Sequence, residues 1–403
     1  FVKIERPARS ALLEIACILE AEFLEVLLDQ DILRRRQIVA NQLRRAGLGL
    51  SMSQRGDAKS ISFVEDTAVA PERLRDYIEE FQRILARHKV PAGIYAHASV
   101  GLLHIRPVVN MKTAEGVAKF ESIANEVADL VLEHGGALSG EHGDGLVRAP
   151  FQERMFGSTL YEAFREIKHT FDPGDLLNPG KIVDAPPLTD NLRFPRNHVT
   201  PEVSTAFDFS DFGGIARAAE QCGGVGACRK SLTGTMCPSY MATRNERDST
   251  RGRANALRIA INNGFGENGL ADPELKPILD LCLECKACKS ECPTGVDMAR
   301  LKSEFLYQYH SKHGAPLRDR CLGRVEKFVR WGSRLAPALN FFARNRSGRW
   351  LGEQLLGLDR RRQAPPLAHP TFLQWWAQNP PPEDPSRPPV ALFADTFANY
   401  HEP

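Results

Sequence analysis

Seven of the nine cysteines in this 403-residue chain lie between Cys222 and Cys292, and four of them crowd into 281-LCLECKACKSECPTG-295. Cys282, Cys285, Cys288 and Cys292 are spaced C-x2-C-x2-C-x3-C and are followed at once by Pro293, a run that ligates four-iron clusters. The reason is geometric. Three thiolates on one tight loop reach three corners of a cubane, and the fourth, displaced onto the following helix, points toward another cluster. Proline starts that helix, because its missing N–H is one that the first turn leaves unpaired anyway. A zinc site prefers C-x2-C knuckles separated by a longer span, so structural zinc or a redox thiol pair fits this run poorly.

The other group, 222-CGGVGACRKSLTGTMCP-238, is looser, C-x5-C-x8-C-P. Cys237-Pro238 repeats the terminal C-P, so by the crossed ligation of two-cluster proteins Cys237 completes the cluster of Cys282, Cys285 and Cys288. That leaves Cys222, Cys228 and Cys292 for a second site: a three-iron cluster, a four-iron cluster with a non-cysteine ligand, zinc, or nothing. Nearby, 249-STRGRANALR-258 reads as a helix start with Ser249 as N-cap. Its arginines 251, 253 and 258 are either positive charge that stabilises a reduced cluster or a solvated basic face.

A different chemistry is suggested upstream. His97 and His104 stand seven apart in 97-HASVGLLH-104, and Glu141-His142 sits in 140-GEHGDGL-146, where Gly143 and Gly145 let the backbone approach a flat ligand. Flanking a hairpin, both histidines face one side. Two histidines and a glutamate make a divalent-metal set with open positions for a substrate. The plainer reading of the same spacing is packed or exposed histidines without a metal.

These groups need elements to position them. Residues 10–16 and 60–66 read as strands, 18–46 and 71–89 as helices, and 93–107 as two strands around a tight centre at Ser99–Gly101. A helix over 112–134 ends at Gly135-Gly136, and another over 158–170 is stopped by Asp172-Pro173. From 205 to about 330 no strand pattern survives, and helical segments at 250–263, 274–281 and 296–311 flank the cysteines. A proline-rich stretch covers 364–388.

Charge is near balance, with 52 Lys+Arg against 50 Asp+Glu, which argues against nucleic acid or an acidic membrane surface as partner. No run of about 18 apolar residues suggests a transmembrane helix, and FVKIERPARS lacks the apolar core of a signal peptide. Clustered thiols without a secretory leader favour metal ligation in a reducing compartment. The absence of Met before Phe1, and a terminal 389-PVALFADTFANYHEP-403 that reads as the first strand of something cut short, predict a piece of a longer polypeptide.

The strings 95-YAHASVGLLHIRP-107, 139-SGEHGDG-145 and 171-FDPGDLLNPGKIV-183 resemble the C-terminal, substrate-capping half of the FAD-linked 2-hydroxy-acid dehydrogenases, over residues 8–184. The iron–sulfur half resembles the glycolate oxidase iron–sulfur subunit. The two together are similar to the large fused bacterial FAD- and iron–sulfur-containing dehydrogenases, relatives of D-2-hydroxyglutarate dehydrogenase. The resemblance implies an α+β cap domain (antiparallel sheet with helices) over 1–184, a linker over 185–204, an α-helical ferredoxin-like iron–sulfur domain over 205–330, and a helical and Pro-rich tail over 331–403 leading into a truncated next domain.

It further implies that His97, His104 and Glu141 hold a divalent metal such as Zn or Mn against the substrate, and that His142 removes the hydroxyl proton. Arg44 pairs with a substrate carboxylate, and Asn178, Lys181, Gly143 and Gly145 lie near the flavin ring. The chain departs from the family pattern in three places. The segment between the histidines lacks the usual Asp and Asn, Val64 replaces a lysine, and Arg106 stands where a substrate-contacting asparagine is common, which would suit a second carboxylate. The implied enzyme is cytoplasmic or peripheral to the inner membrane, and homo-oligomeric. It passes electrons from a D-2-hydroxy acid through FAD, bound by a domain outside this chain, to iron–sulfur and an unidentified acceptor. D-lactate or glycolate are alternative substrates, and a zinc-stabilised cysteine-rich binding module is the alternative of another class.

Overall fold

The structure is a computed structural model and describes Gly49, residues 51–262, Gly264, residues 266–380 and residues 391–402. The strand expected over 10–16, the helix over 18–46 and Arg44 lie outside the described residues. Chain contacts divide it into two units, Phe1–Leu306 and Tyr307–Pro403.

In the first unit β1 (Lys59–Ser60), β2 (Thr67–Ala68), β3 (Ala92–His97) and β4 (Leu102–Val109) form an antiparallel sheet. β4 is central: β3 pairs along one edge, while β1 and β2 share the other. The strand expected over 60–66 is thus two short strands with a break between them. At the end of the break Asp66 is left-handed at φ 75, and its N–H donates to the Leu103 carbonyl of β4 at 2.8 Å. The hairpin of β3 and β4 closes at Gly101 (φ 69), where a Cβ would stand 1.8 Å from the Val69 carbonyl oxygen.

Two helices cover the sheet, α1 (Leu74–Arg87) and α2 (Ala114–Glu133). Thr113 caps α2 by accepting the Gly116 N–H at 3.0 Å. Alternation on β4 sends Leu103, Ile105 and Val109 into a core with Phe81 of α1 and Phe120, Ile123 and Val127 of α2. In α3 (Gln152–Phe171), Gly157 (φ 77) breaks the regular helix, so the continuous part begins where the sequence pattern places it.

Residues 185–204 contain no helix or strand, yet they are fastened. His198 N–H donates to the Lys112 carbonyl at 2.8 Å, and Asn197 Oδ1 accepts the Ala114 N–H at 3.0 Å. Phe194 takes Lys112, Arg193 and Arg258 over its ring. Lys112 itself is 5 % exposed, and its Nζ donates to Asp57 (2.9 Å), Thr200 (2.7 Å) and Glu220 (2.6 Å). Three protons meet three acceptors from three segments.

The cysteines follow in a helical region: α4 (Ile215–Glu220), α5 (Pro238–Thr243), α6 (Thr250–Ile261), α7 (Leu275–Leu279), α8 (Ala287–Glu291) and α9 (Met298–His313). No strand occurs there among the described residues, as expected. The second unit holds short helices, including Phe372–Gln378 with a capping box between Thr371 and Gln374. The expected terminal strand is instead a helical turn, Thr396–Tyr400, because Asp395 caps it by accepting the Ala398 N–H at 2.7 Å. Among the described residues, no helix is long and apolar enough to cross a membrane.

Replacing Lys112 with Met strands the Glu220 carboxylate away from water, and should lower stability by about 3–5 kcal/mol; an unchanged denaturant midpoint would rule the ammonium out as a tie. Asp57 gives a pH signature. Arg217, then Lys112, hold its carboxyl down to about 2. Its contribution is therefore complete above the unfolded value of about 3.9 and disappears as pH falls from there through about 2. Asp57→Asn should flatten that acid limb of the stability curve.

Candidate metal and cluster sites

Alternation on β4 puts His104 and Arg106 on the face opposite the core side chains, and the register sets Tyr95 across from His104 and His97 across from Leu102. Tyr95 and His97 therefore share the face of His104. Tyr95 stacks on His104 (ring centroids 4.6 Å apart), and His104 stacks on His142 (5.1 Å).

The facing loop, 139–145, brings Glu141 over this group. Its Oε1 lies 3.5 Å from His97 Nε2, 3.3 Å from His104 Nε2 and 3.2 Å from His142 Nε2. One carboxylate oxygen is thus ringed by three imidazole nitrogens. Burial, then neighbouring His142, holds His104 below its usual pKa. Its Nδ1 has no hydrogen-bond partner among the described residues.

Asp66 holds the loop in place. Its fully buried carboxylate accepts from Ser139 Oγ (2.7 Å) and from the N–H groups of His142 (2.8 Å) and Glu141 (3.2 Å). Burial would raise its pKa, but these donors outweigh burial and hold it below the usual carboxylate value. Arg148 adds a second tie, donating to the carbonyls of Glu65 (2.9 Å) and Gly143. Asp66, His104, Glu141 and His142 form the tightest potential ligand set, with ligand atoms within 4.8 Å of one another. Asp66 accepts three donors from this loop and so anchors it.

Arg106 is buried, with Nε 2.7 Å from Glu65 and Nη2 2.7 Å from the Tyr95 hydroxyl. Two of its donors therefore serve Glu65 and Tyr95, where the sequence suggests a substrate carboxylate. Gly143 and Gly145 are left-handed (φ 76 and 59), with nothing within 4 Å of where a Cβ would stand. Asn178 (φ 52) and Lys181 are exposed, and Lys181 Nζ donates to Asn178 Oδ1 at 3.2 Å. Sequence reasoning missed Glu65 and Asp66, which it absorbed into a strand; the signal available was an adjacent acidic pair at the end of an apolar run.

In the helical region Cys237, Cys282, Cys285 and Cys288 line one small cavity, with Arg253 beside them. Burial pushes Cys288 up to about 11 and raises Cys282. Burial also opposes ionisation of Cys237, but Ser239, the Tyr240 N–H and Arg253 outweigh it and lower its pKa. Arg253 is 0 % exposed and donates to Cys237 Sγ (3.4 Å), Ser239 Oγ (2.9 Å) and the Ile278 carbonyl (3.0 Å). It is no part of a solvated basic face. Cys222 and Cys228 are buried and raised, chiefly by that burial, with a further increment to each from Cys292 and to Cys222 from Cys228, so these three thiols also gather.

Residues 7–182 match the family described as FAD linked oxidases, C-terminal domain, and residues 218–296 match the 4Fe-4S dicluster domain. The chain is 31 % identical over 82 % of its length to D-2-hydroxyglutarate dehydrogenase of Haemophilus influenzae, and 32 % over 78 % to the protein of that name in Escherichia coli, covering 35 % and 34 % of them. It is 31 % identical to D-lactate dehydrogenase of Archaeoglobus fulgidus over 33 % of its length, covering 29 % of that protein. The chain thus spans about a third of the length of the relatives it matches. The dicluster match decides between iron–sulfur and the zinc binding module in favour of iron–sulfur.

Asp66→Ala removes the acceptor for a hydroxyl and two loop N–H groups, and should cost about 1–3 kcal/mol. Amide exchange at Glu141 and His142 should accelerate; unchanged protection there would mean that the loop holds itself.

Proposed function

We propose that this chain, homologous to D-2-hydroxyglutarate dehydrogenases and joining an FAD-linked oxidase C-terminal domain to a 4Fe-4S dicluster domain, is the substrate cap and electron exit of a flavin- and iron–sulfur-dependent enzyme. That enzyme oxidises D-2-hydroxyglutarate, or a D-2-hydroxy acid like it, to the 2-oxo acid. One observation carries the reading: three imidazole nitrogens stand 3.2–3.5 Å from one oxygen of Glu141. Ligand atoms about 2.0–2.1 Å from a tetrahedral cation lie about 3.3 Å apart, so the residues fit a divalent ion such as Zn or Mn, held by His97, His104 and Glu141.

When bound, that ion polarises the substrate's hydroxyl and carboxylate and makes the hydroxyl proton easier to remove. His142, 41 % exposed on its side chain, takes the proton. Its Nδ1 faces Asp66 at 3.7 Å and Glu65 at 3.9 Å, too far for hydrogen bonds but near enough to stabilise the imidazolium that forms. Arg106 fixes Glu65 behind it, and its Nη1, which bonds neither Glu65 nor Tyr95, serves one substrate carboxylate while Arg44 takes the other. Asn178, Lys181, Gly143 and Gly145 form the wall against the flavin ring. FAD supplies the acceptor for the substrate's two electrons, and the clusters supply the one-electron exit. The cysteines divide in the crossed, ferredoxin-like way: Cys237 joins Cys282, Cys285 and Cys288, while Cys292 joins Cys222 and Cys228.

D-2-hydroxyglutarate is preferred over D-lactate because relatives of the first name match about four-fifths of the chain, against a third for the second. In the full-length protein without oxygen, D-2-hydroxyglutarate should bleach the flavin faster than D-lactate, and a chelator should abolish both. His142→Ala should slow flavin reduction by about 10²–10⁴-fold with iron content unchanged. Bleaching at the wild-type rate in that variant would remove His142 from the chemistry, and no bleaching by any D-2-hydroxy acid would remove the function.

A further inference from the structure

The loops 222–228 and 282–288 have the same backbone under different sequences. Gly224 (φ 84) and Gly226 (φ 78) are left-handed, and at the matching positions so are Glu284 (φ 52) and Lys286 (φ 61). Glycine adopts that conformation freely, whereas Glu and Lys do so against a steric cost, so the second loop keeps a shape that its side chains disfavour. A helical turn starts at Ala227 in one and at Ala287 in the other, each with the left-handed residue as N-cap.

The sulfur environments match as well. Cys222 accepts the N–H of Gly224, and Cys282 that of Glu284. Cys228 accepts the Arg251 N–H at 3.4 Å, and Cys288 that of Met298 at 3.3 Å. The cysteine of each C-P pair meets a hydroxyl two residues on, Cys237 with Ser239 and Cys292 with Thr294, both at 3.3 Å. Arg251 fastens the first loop further, donating to the Gly224 carbonyl at 3.1 Å and to Glu246.

In this register Val225 stands where the second loop has Cys285. Both positions are exposed, Val225 by 39 %. We propose that the site of Cys222, Cys228 and Cys292 is a three-thiolate site holding a three-iron cluster, with Val225 at the loop position that would supply the fourth ligand. This rests on the iron–sulfur reading of the domain. An isopropyl group has no lone pair for iron, so this position supplies no ligand. The loop around it is otherwise built to present a thiol there, so valine removes one ligand and leaves the remaining three in place.

The test compares full-length wild-type protein with Val225→Cys and Val225→Ala, prepared without oxygen, by iron and acid-labile sulfide analysis and low-temperature EPR. Oxidised wild type should give the signal of a three-iron cluster. Val225→Ala should keep it, and Val225→Cys reconstituted with ferrous iron and sulfide should lose it and gain about one iron per chain. Oxidised wild type that lacks the signal, because it holds two complete four-iron clusters or only one cluster, overturns the inference and leaves the domain reading intact. Protein without iron or labile sulfide overturns the domain reading itself. Should the cysteine variant not accumulate, the wild-type spectrum decides the matter.

Discussion

A single buried ammonium joins the histidine-bearing sheet to the cysteine-bearing helices. Lys112 follows β4 and gives its protons to Asp57 just ahead of β1, Thr200 in the connecting segment and Glu220 at the end of α4. Taking a charge this far out of water is unfavourable unless each proton finds an acceptor, and here each one does. The connection is therefore a strap, with Phe194 under three cations and Arg193 donating to the Cys222 carbonyl at 3.2 Å. The strap reaches from the capped start of α2 to the first residue of the cysteine loop. The two regions are thus tied by buried polar contacts that cannot slide independently.

The histidine site follows the same logic. β4 has to face two ways, its core side chains into a hydrophobic layer and His104 and Arg106 into a polar one, and strand alternation alone achieves this. What alternation cannot do is bring Glu141 over the imidazoles, since that residue lies on a loop. Asp66 does so from just before β2: its N–H stays on the Leu103 carbonyl of β4 at 2.8 Å, while at φ 75 its carboxylate accepts the N–H groups of the loop.

The sequence made the spacing-encoded parts legible. The hairpin around Gly101, helices α1 and α2, the helical nature of the cysteine region and the two cysteine groups follow from period, glycine placement and C-x-x-C counting. Contacts between distant residues were not legible, because nothing local announces them. Asp66 looked like the last residue of a strand. Arg106 looked like a free cation, although Glu65 and Tyr95 engage it. Arg253 could have been solvent-exposed, yet it is buried against Cys237. Each is a polar group whose role depends on which partner the fold delivers, and a single chain read in one dimension does not carry that information.

The cysteine loops show how far such information can be recovered once the backbone is visible. By sequence, C-x5-C and C-x2-C-x2-C are different motifs. By conformation they are one motif, since left-handed residues, helical turns and N–H···S donors recur at matching positions. Glycines 224 and 226 adopt without strain what Glu284 and Lys286 adopt with it, so the first loop holds its shape through its own composition. In the second, a full set of thiolates closing on a cluster can supply the compensating stabilisation. A loop with fewer ligands has less to gain from closing and so depends more on an unstrained backbone. With the proposed three-thiolate site, the glycines beside Val225 and the missing thiol at its position answer to the same constraint.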